Sequence, residues 1–161
     1  MPCSAVLPKF PAVLSALLLL VAGPLAAEKG AVRYWASLRV GEANMRAGPS
    51  EDYRISWVYR RLDLPLKVVR LKEGWRLVED PDGARGWMLA QFLKRERGAI
   101  VVGNGLAEMR EAGNPDARLL WRLEPGVVGT LGECAGSWCA LTVAGRTGFV
   151  PRDRLWGAGE P

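Results

Sequence analysis

The chain has 161 residues, a formal net charge of +5 and a pI of about 9.4, and it contains no histidine. Its length allows one ordinary domain or two small ones. General acid–base and nucleophilic catalysis at neutral pH depend heavily on histidine, so the composition argues against an enzyme of those classes.

The N-terminal 27 residues have the pattern of an export signal. Lys9 is the only charged side chain, and an apolar run follows from Ala12 to Ala22. This run is shorter than the ~18–20 apolar residues that a membrane-spanning helix needs. Small residues before Glu28 place the expected cleavage after Ala27. The mature chain then has a formal charge of +4, because only Lys9 is lost from +5.

Export predicts a periplasmic or secreted protein with no stable membrane insertion after signal cleavage. Leu25 occupies a position where a small residue is preferred, so an uncleaved anchor is the alternative. An exported chain seldom meets nucleic acid, and a modest positive charge suits the anionic cell envelope. We therefore predict an envelope partner and no nucleic acid.

Two cysteines remain after cleavage, Cys134 and Cys139, within the stretch ECAGSWCAL. In an oxidising compartment an even pair predicts a disulfide. Redox enzymes usually use a Cys-x-x-Cys spacing at a helix start, whereas these residues flank a Gly-Ser turn in a strand-like stretch, which favours a structural cross-strand link. Without histidine or a third cysteine, neither a metal site nor a cofactor is expected.

The sequence contains an internal repeat. RAGPSEDYRISW at Arg46–Trp57 is similar to REAGNPDARLLW at Arg110–Trp121, at an offset of 64 residues. The correspondence continues with Trp75 on Trp138 at an offset of 63, and the later glycines match at 62. Small changes of offset are typical of loop deletions, so the pattern predicts two copies of one unit.

Each copy has the pattern of short strands separated by turn residues. The first copy contains LPLKVVRL, WRLVE and ARGWML, and the second contains PGVVGTLGEC, WCALTV and RTGFVP. Their close spacing leaves no room for crossover helices and favours antiparallel hairpins. We predict an all-β chain of two small β-barrels, residues 34–97 and 98–157. Such small cores depend on large side chains, so any of five tryptophans can be structural: Trp57, Trp75, Trp87, Trp121 and Trp138.

These stretches resemble a known family. YWASLRVGEANMRAGPSEDY, GWRLVEDPDGARGWM and, in the second copy, LEPGVVGTLGECAGSWCAL with RTGFVPRDRLWG are similar to tandem bacterial Src-homology-3-like (SH3-like) domain proteins of the cell envelope. The resemblance covers about Tyr34 to Gly157. It implies SH3-like barrels in which the repeated phrase forms the long first loop, next to the ligand groove. We expect Arg46 to pair with Asp52 across that loop, and Arg110 with Asp116.

The resemblance also implies binding of peptides or cell-wall material. Aromatic side chains next to cations are suited to an extended peptide or the acidic stem peptides of peptidoglycan. The predicted ligand-binding groove contains Tyr53, Tyr59, Trp75, Trp87 and Arg54.

No catalytic residue is predicted, because the carboxylates cluster in turns where aspartate caps the backbone. We predict a non-catalytic envelope module that binds peptidoglycan peptides or a protein partner. The alternative is an interaction scaffold that presents the paired domains to an envelope enzyme.

Overall fold

A computed structural model describes residues 32–161, and the predicted export signal lies outside them. Within these residues the only helical segments are two single 3₁₀ turns, Ala90–Phe92 and Arg152–Arg154. No helix of residues 32–161 is long and apolar enough to span a bilayer. The prediction of an all-β chain is confirmed.

The first seven strands form one antiparallel sheet in the order β3-β2-β6-β5-β4-β1-β7. A register irregularity in β4 between Val68 and Arg70 interrupts its pairing with β5. The strands are β1 Tyr34–Leu38, β2 Ala43–Arg46, β3 Ile55–Tyr59, β4 Pro65–Lys72, β5 Trp75–Glu79, β6 Arg85–Leu89 and β7 Leu93–Lys94.

The next seven strands form a second antiparallel sheet in the order β10-β9-β13-β12-β11-β8-β14, which repeats the first order strand for strand. This identity confirms the prediction of two tandem copies of one unit. The strands are β8 Gly98–Val101, β9 Ala107–Arg110, β10 Leu119–Leu123, β11 Val128–Ala135, β12 Trp138–Val143, β13 Arg146–Pro151 and β14 Leu155–Trp156.

Each sheet has its own hydrophobic core, built by alternating side chains of its strands. On β2, Met45 is buried, and Met109 is buried at the same position of β9. These methionines explain the glycine of the sixth strand in each copy. A Cβ added at Gly86 would lie 2.5 Å from Met45 Cγ, and one at Gly148 would lie 2.5 Å from Met109 Cγ.

The disulfide lies within the second unit. Cys134 on β11 and Cys139 on β12 are register partners, and they form the predicted cross-strand bridge. Cys139 and Leu141 are fully buried, which agrees with the inner face expected from alternation. The bridge therefore ties the tip of one hairpin to the second core.

The two units also pack on each other. Ile100 and Val128, both from the second sheet, pack against the first core. At the same junction the Trp35 indole Nε1–H donates to the carbonyl of Gly159 at 2.7 Å, and its ring meets Trp156 edge-on, with 4.6 Å between centroids. The cores stay distinct, but specific contacts join the units.

Candidate functional site

The repeated loop of the first unit is held by an arginine. Nη1 of Arg46 donates to the backbone carbonyls of Glu51 at 2.8 Å and Tyr53 at 2.7 Å. Asp52 instead accepts from the Ser50 hydroxyl at 2.8 Å. The expected pairing of Arg46 with Asp52 is therefore wrong. Carbonyls inside a loop need donors, and the guanidinium fork supplies several from one side chain.

The loop of the second unit is also held by an arginine. Nη1 of Arg110 donates to the carbonyl of Ala117 at 2.6 Å, and Nη2 meets the Glu108 carboxylate. The backbone N–H of Asp116 donates to Oδ1 of Asn114 at 3.1 Å. Arg110 therefore does not make the pair that we expected with Asp116. Both arginines hold the repeated loop of their unit through its backbone carbonyls.

A buried hydrogen bond joins β3 to the turn between β5 and β6. The hydroxyl of Tyr59 donates to Oδ2 of Asp80 at 2.8 Å, while Oδ1 accepts from the backbone N–H groups of Asp82 at 3.0 Å and Ala84 at 2.8 Å. The capping role expected of this aspartate is confirmed. Burial, followed by the Asp80 carboxylate, raises the pKa of Tyr59. Its hydroxyl therefore stays protonated and keeps donating.

An open groove lies beside this hydrogen bond, between the two units. We call it the junction groove. It has a volume of about 650 Å³. Trp57 is the most exposed tryptophan of the described residues, at 59%, and its ring centroid lies 6.5 Å from that of Tyr59. The lining from the first unit includes Trp57, Tyr59, Asp80 and Asp82, and the lining from the second includes Ile100 and Pro125.

The sequence-predicted groove residues occupy different environments. Tyr59 is 7% exposed and forms part of the junction groove. Trp75 is 9% exposed and belongs to the buried side chains. Tyr53 is half exposed and its ring packs against Gly48 in the loop. Of these side chains, only Tyr59 lines the junction groove.

The other two predicted groove residues lie elsewhere. Arg54 is exposed just before β3, and Trp87 is half-buried on β6, opposite Arg46. Neither lines the junction groove. A ligand role for Tyr53, Arg54, Trp75 and Trp87 therefore stays a prediction.

Sequence reasoning assigned Trp57 to the possible core and missed its exposure. The repeat does not reveal it. Trp57 and Trp121 are identical in the two copies, but so are Trp75 and Trp138, and Trp75 is buried. Retention of a tryptophan in both copies therefore does not distinguish an exposed ring from a core one.

The second unit has a groove at the equivalent place, which we call the second-domain groove. Its volume is about 410 Å³. Trp121 is 36% exposed, and the guanidinium of Arg146 lies 5.4 Å from the centre of its ring. The lining residues are Met109, Trp121, Arg122, Leu123, Val143, Ala144 and Arg146.

These surfaces define the class of protein: two small all-β units whose exposed features are aromatic grooves with charged rims. Among residues 32–161 no group of three or more Cys, Asp or Glu side chains is arranged to hold a metal ion. The family model described as "Bacterial SH3 domain" matches the chain twice, at residues 39–93 and 104–157. The chain belongs to the bacterial SH3 domain family.

Several solved structures align with this chain at low identity. NlpC2 and NlpC1 from Trichomonas vaginalis each align with a TM-score of 0.36, at 10% and 11% identity, over 79% and 81% of this chain and 49% and 48% of theirs. An NlpC/P60 family protein from Bacillus cereus ATCC 10987 aligns with a TM-score of 0.33 at 13% identity, over 76% of this chain and 56% of that one. The chain thus spans about half the length of these proteins. No match was found among curated proteins.

Proposed function

We propose that this chain is a non-catalytic protein of the cell envelope that binds an extended cell-wall peptide in the junction groove. The observation that carries the proposal is the exposed Trp57 ring above the buried Tyr59–Asp80 pair. A rigid aromatic surface of this kind buries a large ligand area at low entropic cost, and tryptophan is enriched among residues that dominate binding energy.

The rim of the junction groove carries charged side chains of both signs. Arg60 is paired with Glu42 at 2.9 Å, and Arg61 donates to the carbonyl of Gly126. Asp82 is exposed and makes no ion pair within the described part of the chain. Arg61 keeps its positive charge, because a carbonyl is neutral, so the rim offers a ligand a carboxylate at Asp82 and a guanidinium at Arg61. A peptide that stacks an apolar side chain on Trp57 and places an ammonium group near Asp82 fits this arrangement.

Family membership supports the same function. Bacterial SH3 domains are cell-wall binding modules, and both copies here match that family. The composition supports it as well, because these 161 residues contain no histidine for general acid–base chemistry. Binding rather than turnover is the activity that these residues suit.

Cosedimentation with purified peptidoglycan sacculi tests the proposal. Trp57→Ala is expected to weaken binding about tenfold or more, which corresponds to at least about 1.4 kcal/mol. Leu71→Ala is the matched control, because Leu71 is also an exposed apolar side chain but does not line the junction groove. Tyr53→Ala tests whether the long loop contributes to binding of the sacculi. Equal binding by the wild type and Trp57→Ala would overturn the proposal.

An interaction scaffold is the second candidate, and the junction contacts favour it. Trp35 and Trp156 hold the two units in one arrangement, so both can face a single protein partner. In-cell crosslinking from position 82 separates the two functions. One dominant protein adduct supports the scaffold, whereas a cell-wall binder gives none.

A further inference from the structure

The two grooves occupy equivalent places but differ in their polar groups. Leu123 on β10 occupies the position that Tyr59 has on β3. Leu123 pairs with Ala107, the first residue of β9, and Tyr59 pairs with Ala43, the first residue of β2. Val143 ends β12 at the position where Asp80 follows β5. A buried hydrogen-bonded pair in the first unit is therefore an apolar pair in the second.

The neighbouring turn also differs. In the first unit five residues, 80–84, connect β5 to β6, and they include the carboxylates of Asp80 and Asp82. In the second unit only Ala144 and Gly145 connect β12 to β13. Both have positive φ, 49° and 76°, as a tight hairpin turn requires. Val143 replaces the carboxylate of Asp80, the shorter turn removes that of Asp82, and Arg146 lies directly beside the groove.

The second-domain groove consequently has a cation, Arg146, beside its tryptophan and no carboxylate in its lining. Arg146 is exposed and forms no ion pair with any described residue, whereas Arg122 lies opposite Glu108 on the neighbouring strand. No aspartate or glutamate lines the groove. A guanidinium that stacks on an indole ring keeps its N–H edge free, and that edge matches the two oxygens of a carboxylate. The floor below it, which includes Leu123 and Val143, is apolar.

We propose that the second-domain groove binds the free carboxylate at the end of a peptide, with the guanidinium of Arg146 holding the two oxygens and Trp121 contacting the small apolar side chain beside it. The charge complementarity favours this occupant. Its volume of about 410 Å³ lies within the ~300–1,000 Å³ of small-ligand sites. The site is separate from the junction groove and, unlike that groove, has no carboxylate in its lining, so it goes beyond the proposed function.

The test uses two peptides that differ only in charge. N-acetyl-alanyl-alanine, in its L,L and D,D forms, is titrated into the mature chain alongside the corresponding C-terminal amides. The indole N–H signals of Trp121 and Trp57 are followed by nitrogen-15 NMR. At least one carboxylate peptide is expected to shift the Trp121 signal saturably, with its amide binding at least tenfold more weakly. The Trp57 signal should not move.

Variants identify the residues responsible. Arg146→Gln is expected to abolish the charge preference, so that acid and amide bind equally weakly. Arg70→Gln is the control, because Arg70 is an exposed arginine of the first sheet, outside both grooves. An unchanged Trp138 indole signal in Arg146→Gln shows that the second unit remains folded, because Trp138 lies on β12 and outside the second-domain groove.

Four results would overturn the proposal: no shift with either acid, equal binding of acid and amide by the wild type, full binding by Arg146→Gln, or an equal response to inorganic phosphate at the same ionic strength. The last would indicate a general anion site. Each of these results is measured at the NMR signal of Trp121. The proposed function is tested by cosedimentation of Trp57→Ala with sacculi, so one proposal can fail without the other.

Discussion

Glu79 and Thr142 occupy equivalent positions in two sheets of identical strand order. Glu79 lies opposite Lys67 and Arg85, and its carboxylate pairs with them at 2.7 Å and 2.5 Å. Thr142 faces a threonine on each side, and its hydroxyl lies 2.8 Å from that of Thr147. The same place in the fold thus holds an ion triplet in one copy and a row of threonines in the other.

The triplet predicts a pH dependence of stability. The hydrogen bond from Lys67 holds the pKa of Glu79 below its usual value, with a further contribution from Arg85 that acts against the effect of burial. The unfolded state therefore takes up a proton first as the pH falls. The stabilisation is complete above the usual glutamate pKa and is lost as the pH falls from that value through the folded-state pKa.

Urea denaturation of Glu79→Gln tests this. The variant is expected to be less stable than the wild type by about 1 kcal/mol at pH 7, and the difference should shrink as the pH falls below about 4.5. Thr142→Val is the control, because the stability that this substitution removes should not vary with pH. A difference for Glu79→Gln that stays constant down to pH 3 would contradict the prediction.

The junction contacts predict coupled unfolding of the two units. Trp35→Phe keeps a ring against Trp156 but removes the N–H donor to Gly159. The lost hydrogen bond should cost about 1 kcal/mol, since the carbonyl loses its partner. Calorimetry should show broader or separated transitions. Tyr34→Phe is the control, because the Tyr34 ring contacts Arg95 rather than the second sheet. An unchanged thermogram for Trp35→Phe would show that this contact does not couple the units.

The disulfide predicts a stability contribution that comes from the second unit. Cys134 and Cys139 are five residues apart, and closing so short a loop contributes about 2 kcal/mol in the chain-entropy account. A reductant should lower the stability of the protein by about that amount, because the coupled units unfold together. Expressed without residues 1–27 and denatured without reductant, the chain should not react with a thiol label. Labelling of either cysteine would contradict the assignment.

The repeat explains why the fold was predictable from sequence. The offsets of 64 and 63 that place Trp57 on Trp121 and Trp75 on Trp138 repeat the same strands in the same order, so one sheet order serves both copies. The disulfide was predictable for a similar reason. Its cysteines flank one tight turn, so their pairing depends only on local register.

The details of the site depend on long-range contacts, which the sequence pattern does not encode. Tyr59 looks like a ligand-binding ring, but its hydroxyl is used by Asp80, 21 residues away. Arg46 has a carboxylate within reach in sequence, yet the carbonyls enclosed by the loop compete for its donors. The sequence pattern is compatible with Trp57 as a core residue. Its place in a groove becomes visible only when the second unit is present, because that unit forms the opposite side of the groove.

The tight turn of the second-domain groove offers a prediction about backbone strain. Ala144 has a φ of 49°, in the left-handed region where a Cβ crowds the following carbonyl oxygen. Glycine adopts this conformation freely, although it also gives the unfolded chain more entropy. Replacing Ala144 by glycine should relieve more backbone strain than it costs in unfolded-chain entropy. The left-handed conformation costs an L-residue ~1–2 kcal/mol, whereas the added entropy of glycine costs ~0.5–1 kcal/mol.

Ala144→Gly is therefore expected to stabilise the protein by roughly 0.5 kcal/mol in urea denaturation. Ala84→Gly provides the opposite case, since Ala84 is an exposed turn residue whose φ is not positive. It should destabilise the protein by roughly 0.5–1 kcal/mol. Ala144→Gly should also preserve the turn that positions Arg146, so binding of N-acetyl-alanyl-alanine should not change. Destabilisation by both substitutions would mean that the turn is not strained at Ala144.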